Sequence, residues 1–218
     1  MLGLPKTTEI SRILNKEDIL KNADFKNFTK SEVAAKIDRV RIVGVLNSKT
    51  LNISAGETWK EIDIVRIELK TQDIEDEIIK AIDKSIPRPI VYILKNNFAM
   101  KLAISSKEKV NSVKIDTFFT TDWQQDFELK IIGQNIDNVY ANFLSQIAGE
   151  KLSENSKSDM SESFASLDSA KDAIEKMKER EKIQKQIDIL TRKINSEPSL
   201  GKRQALAEER YRLKAMFV

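Results

Sequence analysis

The sequence contains neither cysteine nor histidine. Without these two residue types the chain has no disulfide, no thiolate nucleophile, no imidazole base and no zinc-finger ligand set. Any reaction would therefore use carboxylates, lysines, hydroxyls or backbone amides. Glycine is also scarce, with 6 in 218 residues. The one glycine of the segment 52–59 forms neither a phosphate-binding loop nor a dinucleotide fingerprint.

Long hydrophobic runs are absent as well. The apolar stretch 86–94 is interrupted by Pro87, Arg88 and Pro89, and it falls far short of the roughly 20 residues that span a bilayer. The amino terminus, MLGLPKTTEI, lacks the charged and apolar regions of a secretory signal. We therefore expect a cytoplasmic protein with no membrane partner. Its net charge of +3 arises in residues 151–218, because residues 1–150 hold 22 basic and 22 acidic side chains.

A change in composition divides the chain. Residues 151–164 are mostly polar and small, which is typical of a linker. The sequence therefore predicts a domain at 1–150, a linker at 151–164 and a second region at 165–218.

The first region mixes two kinds of apolar pattern. Runs rich in Ile, Val and Phe predict strands at 40–46, 62–69, 90–94, 98–104 and 113–119. Helical spacing predicts helices at 7–19, 29–37, 73–85 and 138–147, the second opened by Thr29 or Ser31 as a cap. The helix at 73–85 would join two strands. We expect an α+β (mixed α/β) domain.

The region after the linker has a heptad-like pattern. Ile183, Ile187, Leu190 and Ile194 follow three-four spacing, and Pro198 then breaks the helix. Helical spacing resumes at 206–217. An antiparallel helical hairpin, coiled-coil-like, is the natural solution. Because such a hairpin buries only one narrow stripe, we expect it to bind another chain, to pair with a copy of itself or to fold back on the domain.

One predicted strand carries candidate catalytic residues. Residues two apart on a strand share a face, so Glu68 and Lys70 project together. Metal-dependent nucleases of the PD-D/E-x-K type use such a pair: carboxylates hold a divalent ion while the lysine orients the attacking water. Asp63 or Glu57 would complete the site, with Mg²⁺ as the cofactor. The alternative is a half-buried strand whose charged residues face solvent; it requires no cofactor.

Two further segments carry candidate binding residues. Prolines at 87 and 89 hold the backbone extended, so that Arg88 and Lys84 could project toward a phosphate or a partner carboxylate. The alternative is a simple helix-to-strand connection. The final predicted helix contains the basic residues Lys202, Arg203, Arg210 and Arg212, which suit phosphate contact or, with Glu208 and Glu209 interleaved, a solvated or protein-binding face.

The combination of segments resembles one bacterial family known as a domain of unknown function. The matching segments are 1–5 (MLGLP), 50–57 (TLNISAGE), 67–70, 82–87 (IDKSIP) and the charged carboxy-terminal hairpin. Genes of similar proteins lie beside a helicase and a DNA methyltransferase in restriction or anti-phage loci. The resemblance implies a role in such systems and a shared function for Lys70, Asp83 and Lys84. A partly buried Asp–Lys pair could equally well fix a turn.

Three functional hypotheses follow. The first is a non-catalytic subunit of a restriction or anti-phage defence complex that docks to a helicase or methyltransferase through the hairpin. The second is a Mg²⁺-dependent nuclease using Asp63, Glu68 and Lys70, with the two carboxylates as metal ligands. The third is a DNA-binding module in which Lys84, Arg88 and the terminal basic helix contact phosphates. Under each of them the hairpin could also form a homo-oligomer.

Overall fold

The computed structural model describes residues 2–109, 113–152, 164 and 166–215. The chain divides into two compact units, Met1–Ala170 and Lys171–Val218. Of the predicted linker, residues 153–163 lie outside the described residues. Leu152, just before them, is buried.

The first unit is built on one six-stranded mixed sheet. The strands are β1 (Glu9–Leu14), β2 (Ile37–Asn47), β3 (Glu61–Leu69), β4 (Ile90–Lys95), β5 (Met100–Lys109) and β6 (Val113–Thr120). Their order in the sheet is their order in the chain. Neighbouring strands are antiparallel except for β3 and β4, which are parallel. A parallel pair needs a crossover connection, and a helix supplies it here.

Among its described residues, five α-helices belong wholly to this unit: α1 (Lys16–Asn22), α2 (Lys30–Lys36), α3 (Ser48–Leu51), α4 (Asp76–Lys84) and α5 (Ile136–Ala148). Polar residues that cap the first turn explain where several of these helices begin. Thr29 and Glu32 form a reciprocal capping box at α2. Asn135 accepts a hydrogen bond from the Asn138 N–H at the start of α5, and Gly149, with φ +56°, caps the end of that helix.

Helices pack on both faces of the sheet. On one face, Leu20 of α1, Val33 of α2 and Ile78 of α4 belong to one hydrophobic cluster with Val65 and Tyr92 of the sheet. Buried strand residues that alternate with those of the cluster point to the other face. There α5 contacts β3, β5 and β6. The architecture confirms the predicted mixed α/β class.

The predicted helix at 7–19 was wrong. A turn of 3-10 helix at Lys6–Thr8 leads into β1, and α1 begins only after Asn15, whose side chain caps it. The apolar residues of β1 fit the spacing of a helix as well as that of a strand. Pairing with β2 makes this segment a strand, because tertiary hydrogen bonds override weak local propensity.

The carboxy-terminal helices pack as a hairpin, as predicted. They are α6 (Leu167–Ser196) and α7 (Leu200–Ala215). The break falls at Pro198, and the guanidinium of Arg203 donates hydrogen bonds to the Glu197 carbonyl from Nε (3.2 Å) and Nη2 (2.8 Å). Within the described part of the chain, no helix has both the length and the apolar character needed to cross a membrane.

Candidate functional site

A buried ion pair lies where α4 ends. Asp83 occupies the last turn of α4, and Lys107 lies near the end of β5. The Lys107 Nζ is 2.8 Å from the Asp83 Oδ1, and both side chains are shut off from solvent. Burial raises the pKa of Asp83 and lowers the pKa of Lys107, while their mutual attraction opposes both shifts.

Backbone carbonyls complete the surroundings of the lysine. Lys107 Nζ donates to the carbonyl oxygens of Asp83 (3.1 Å), Ile86 (2.8 Å) and Arg88 (2.7 Å). An ammonium group has three protons, and here four acceptors surround it. The charge of Lys107 is therefore used inside the fold, where it holds the α4–β4 loop against the end of β5.

Two tyrosines extend this arrangement. The Tyr92 hydroxyl donates to Asp83 Oδ1 at 3.0 Å. The Tyr140 hydroxyl of α5 accepts from the Lys107 backbone N–H at 2.9 Å and donates to the Ser105 carbonyl. Burial raises the pKa of both phenols, and the Asp83 carboxylate raises that of Tyr92 further. We call Asp83, Tyr92, Lys107 and Tyr140 the Asp83–Lys107 cluster.

A second charged group adjoins the cluster through Arg88. Its Nη1 donates to Glu61 Oε1 at 2.7 Å, and its Nε lies 2.9 Å from Asp63 Oδ2. Asp63 is buried at the start of β3, whereas Arg88 and Glu61 are partly exposed. Burial raises the pKa of Asp63 more than the Arg88 charge lowers it.

The candidate nuclease residues lie apart from one another. Asp63 and Glu68 are five residues apart on β3, so their side chains point to opposite faces and are separated by about 16 Å along the strand. Glu68 lies 4.0 Å from Arg39. Lys70 follows the strand and is exposed. Among the described residues, no group of three or more acidic side chains is arranged to hold a metal ion. The nuclease stays a prediction from the sequence.

The candidate binding residues are also dispersed. Asp83 is internal and Arg88 pairs with Glu61 and Asp63, but Lys84 is exposed. Lys84 lines a groove of about 390 Å³ between α4 and the α1–α2 loop, together with Phe25, Phe28 and Lys80. In the second unit, α7 carries the four basic residues of the final helix, Lys202, Arg203, Arg210 and Arg212.

Sequence reasoning missed Lys107 and Tyr140. The signal for Lys107 was its spacing along the strand, since Lys107 follows the buried residues Ala103 and Ser105 at intervals of two and so shares their face of β5. No pattern indicated which acid it would meet, because Asp83 lies 24 residues earlier in a different element.

The chain was also compared with known protein families. The chain belongs to the family described as "Domain of unknown function (DUF4391)", whose sequence model matches residues 2–215. The match covers both structural units and confirms the resemblance to a family of that kind. Neither the curated proteins nor the solved structures provide a significant match.

Proposed function

We propose that this protein is a non-catalytic accessory subunit of a bacterial restriction or anti-phage defence complex, and that its helical hairpin docks to a helicase or DNA methyltransferase. The kind of partner comes from the family resemblance. The hairpin supplies the surface.

The observation that carries the proposal is the exposure of apolar side chains on the hairpin. Leu200 is 76% exposed and Tyr211 is 75% exposed, and Ile189 of α6 is 50% exposed. Over its described length α7 buries no side chain fully. Isolated helices of about this length are only marginally stable in water, and Tyr is a residue type that frequently anchors protein interfaces. A partner surface would cover these side chains and stabilise the hairpin.

The charged cluster of the first unit supports a non-catalytic role. Its lysine is enclosed by acceptors, and its aspartate accepts from Lys107 and Tyr92. These groups hold α4, the α4–β4 loop and β5 together. They are shut off from solvent, and their contacts are with groups inside the fold.

The test uses the full-length chain, tagged and purified from its native host. The variant Ile189→Glu/Tyr211→Glu places charges on exposed positions of the hairpin and should leave the fold unchanged. Phe98→Glu is the matched control, because Phe98 is an exposed aromatic (71%) in the first unit. Circular dichroism checks that all three proteins are folded.

We expect the wild type and Phe98→Glu to co-purify a helicase or methyltransferase in equal yield, and the hairpin variant to lose it. If the hairpin variant retains the same partner, or if no such enzyme accompanies the wild type, the proposal is wrong.

A further inference from the structure

Two arginines lie side by side on neighbouring strands of the first unit's sheet. Arg41 of β2 and Arg66 of β3 are directly opposite in the antiparallel register. Side chains of such a pair project from the same face with Cβ atoms about 5 Å apart. The same row continues to Ile13 of β1 and Ile93 of β4. This row of side chains lies on the face opposite the hydrophobic cluster that includes Val65, because neighbouring residues of a strand, such as Val65 and Arg66, point to opposite faces.

This placement has an energetic cost. Like charges directly opposite on neighbouring strands destabilise a sheet. Arg41 is half-buried, and its Nε is shielded from solvent without a hydrogen-bond partner. Within the part of the chain that the structure describes, no carboxylate forms an ion pair with Arg41. A buried donor that has left water without a hydrogen-bond partner costs free energy.

Further cations lie beside this pair on the same face. Arg39 is two residues from Arg41 on β2, and Lys95 ends β4 in register with Glu68. Glu68 is only loosely associated with Arg39, at 4.0 Å. We call Arg39, Arg41, Arg66 and Lys95 the arginine patch. It spans three adjacent strands, about 10 Å across.

We infer that the arginine patch binds the phosphate backbone of a nucleic acid. Guanidinium groups match phosphate oxygens in a planar, two-pronged geometry. One small anion would need only the Arg41–Arg66 pair, whereas cations that continue along β2 and across to β4 suit successive phosphates. The arginine patch is formed by strands of the first unit, so it would add DNA binding to the docking by the hairpin proposed above.

The test measures binding of the full-length chain to a fluorescein-labelled 30-base-pair duplex and to the corresponding 30-mer single strand, by anisotropy over a range of salt concentrations. The variant is Arg41→Ala. The matched control is Arg12→Ala, which removes the same charge from β1: Arg12 pairs with Ile42 and therefore lies on the opposite face.

We expect Arg41→Ala to weaken binding to at least one of the two DNAs about three- to tenfold. The slope of log K against log salt should fall by about 0.9 for the duplex or about 0.7 for the single strand, the effect of one lost phosphate contact. Arg12→Ala should change neither quantity. If both substitutions weaken DNA binding equally, the effect comes from the change in net charge and not from the arginine patch, and the inference is overturned. Wild-type protein that binds neither DNA would also overturn it.

A stability measurement separates a binding role from a structural one. If Arg41 serves a ligand, Arg41→Met removes the like-charge contact, so Tm should stay unchanged or rise by up to about 3 °C. If Arg41 instead supports the fold, Tm should fall. A lower Tm for Arg41→Met, or unchanged DNA binding by Arg41→Ala, would contradict the inference.

Discussion

Lys107 and Asp83 form an ion pair at 2.8 Å with neither side chain open to solvent. The pair joins two elements that are distant in sequence, the end of α4 and the end of β5. Removing one partner of a buried pair leaves the other charge uncompensated, which typically costs about 3–5 kcal/mol. The Asp83–Lys107 cluster should therefore be the most sensitive polar site in the first unit.

Lys107→Met tests this directly. We expect the free energy of unfolding to fall by roughly 3–5 kcal/mol, because the Asp83 charge and three carbonyls lose their donor. Urea unfolding followed by tryptophan fluorescence measures it, since Trp59 and Trp123 both lie in the first unit. Lys101→Met is the control.

The control removes a lysine from the same strand. Lys101 is 3.3 Å from Asp76, which is partly exposed, and such pairs contribute about 0–1 kcal/mol. A Lys107→Met variant that is destabilised no more than Lys101→Met would show that the buried pair does not hold the fold together.

Asp63→Asn should change the dependence of stability on pH. Burial raises the folded-state pKa of Asp63 above the ordinary value of about 3.9. Its favourable contribution is therefore complete below pH 3.9 and is lost as the pH rises through the folded-state pKa. Asparagine does not titrate. Relative to wild type, the variant should gain stability as the pH rises from 4 to 7. A relative loss over this range in urea unfolding would refute the assignment.

Gly56→Ala should destabilise the first unit. A Cβ on Gly56 would collide with the Asp137 carboxylate and the Trp59 carbonyl. Asp137 accepts hydrogen bonds from the N–H groups of Thr58 (2.9 Å) and Trp59 (2.8 Å). We expect a loss of roughly 2 kcal/mol. Gly201→Ala, where a Cβ meets nothing within 4 Å, should leave the tryptophan-monitored transition unchanged; the prediction fails if the two variants behave alike.

Tyr140→Phe removes a hydroxyl that serves two backbone groups of β5. The Lys107 N–H and the Ser105 carbonyl would lose their partner in a buried place, so we expect a cost of about 1–3 kcal/mol. Tyr211→Phe deletes the same atom from an exposed position and should have no effect. Thermal unfolding of both variants provides the comparison, and equal Tm values would contradict the proposed bridge.

Much of the fold could be read from the sequence because apolar periodicity is strong in the central strands. The predicted strands at 40–46, 62–69 and 90–94 lie within β2, β3 and β4. The prediction was weaker at the sheet margins. The strand expected from residue 98 begins at Met100, because Phe98 lies in the turn before it. At β1, helical and extended patterns fit equally well, and only pairing with β2 distinguishes them.

The polar contacts were harder to predict from the sequence. The sequence drew attention to Asp83 and Arg88, but it gave no register between β5 and the end of α4 that would bring Lys107 to Asp83. The same limit applies to Arg41 and Arg66. Each looks like an ordinary charged residue of an alternating strand until the pairing of β2 with β3 sets them opposite each other. Long-range register is a tertiary property.

The order of the strands has a consequence for how the sheet assembles. Each strand from β2 to β6 lies next to the strand that precedes it in the chain. During synthesis, every new strand can therefore add to an edge that already exists, and none has to insert between two earlier ones. Only β4 must wait for a helix, because its parallel pairing with β3 requires α4 to cross over first. The ribosome delivers the strands in the order in which the sheet can grow.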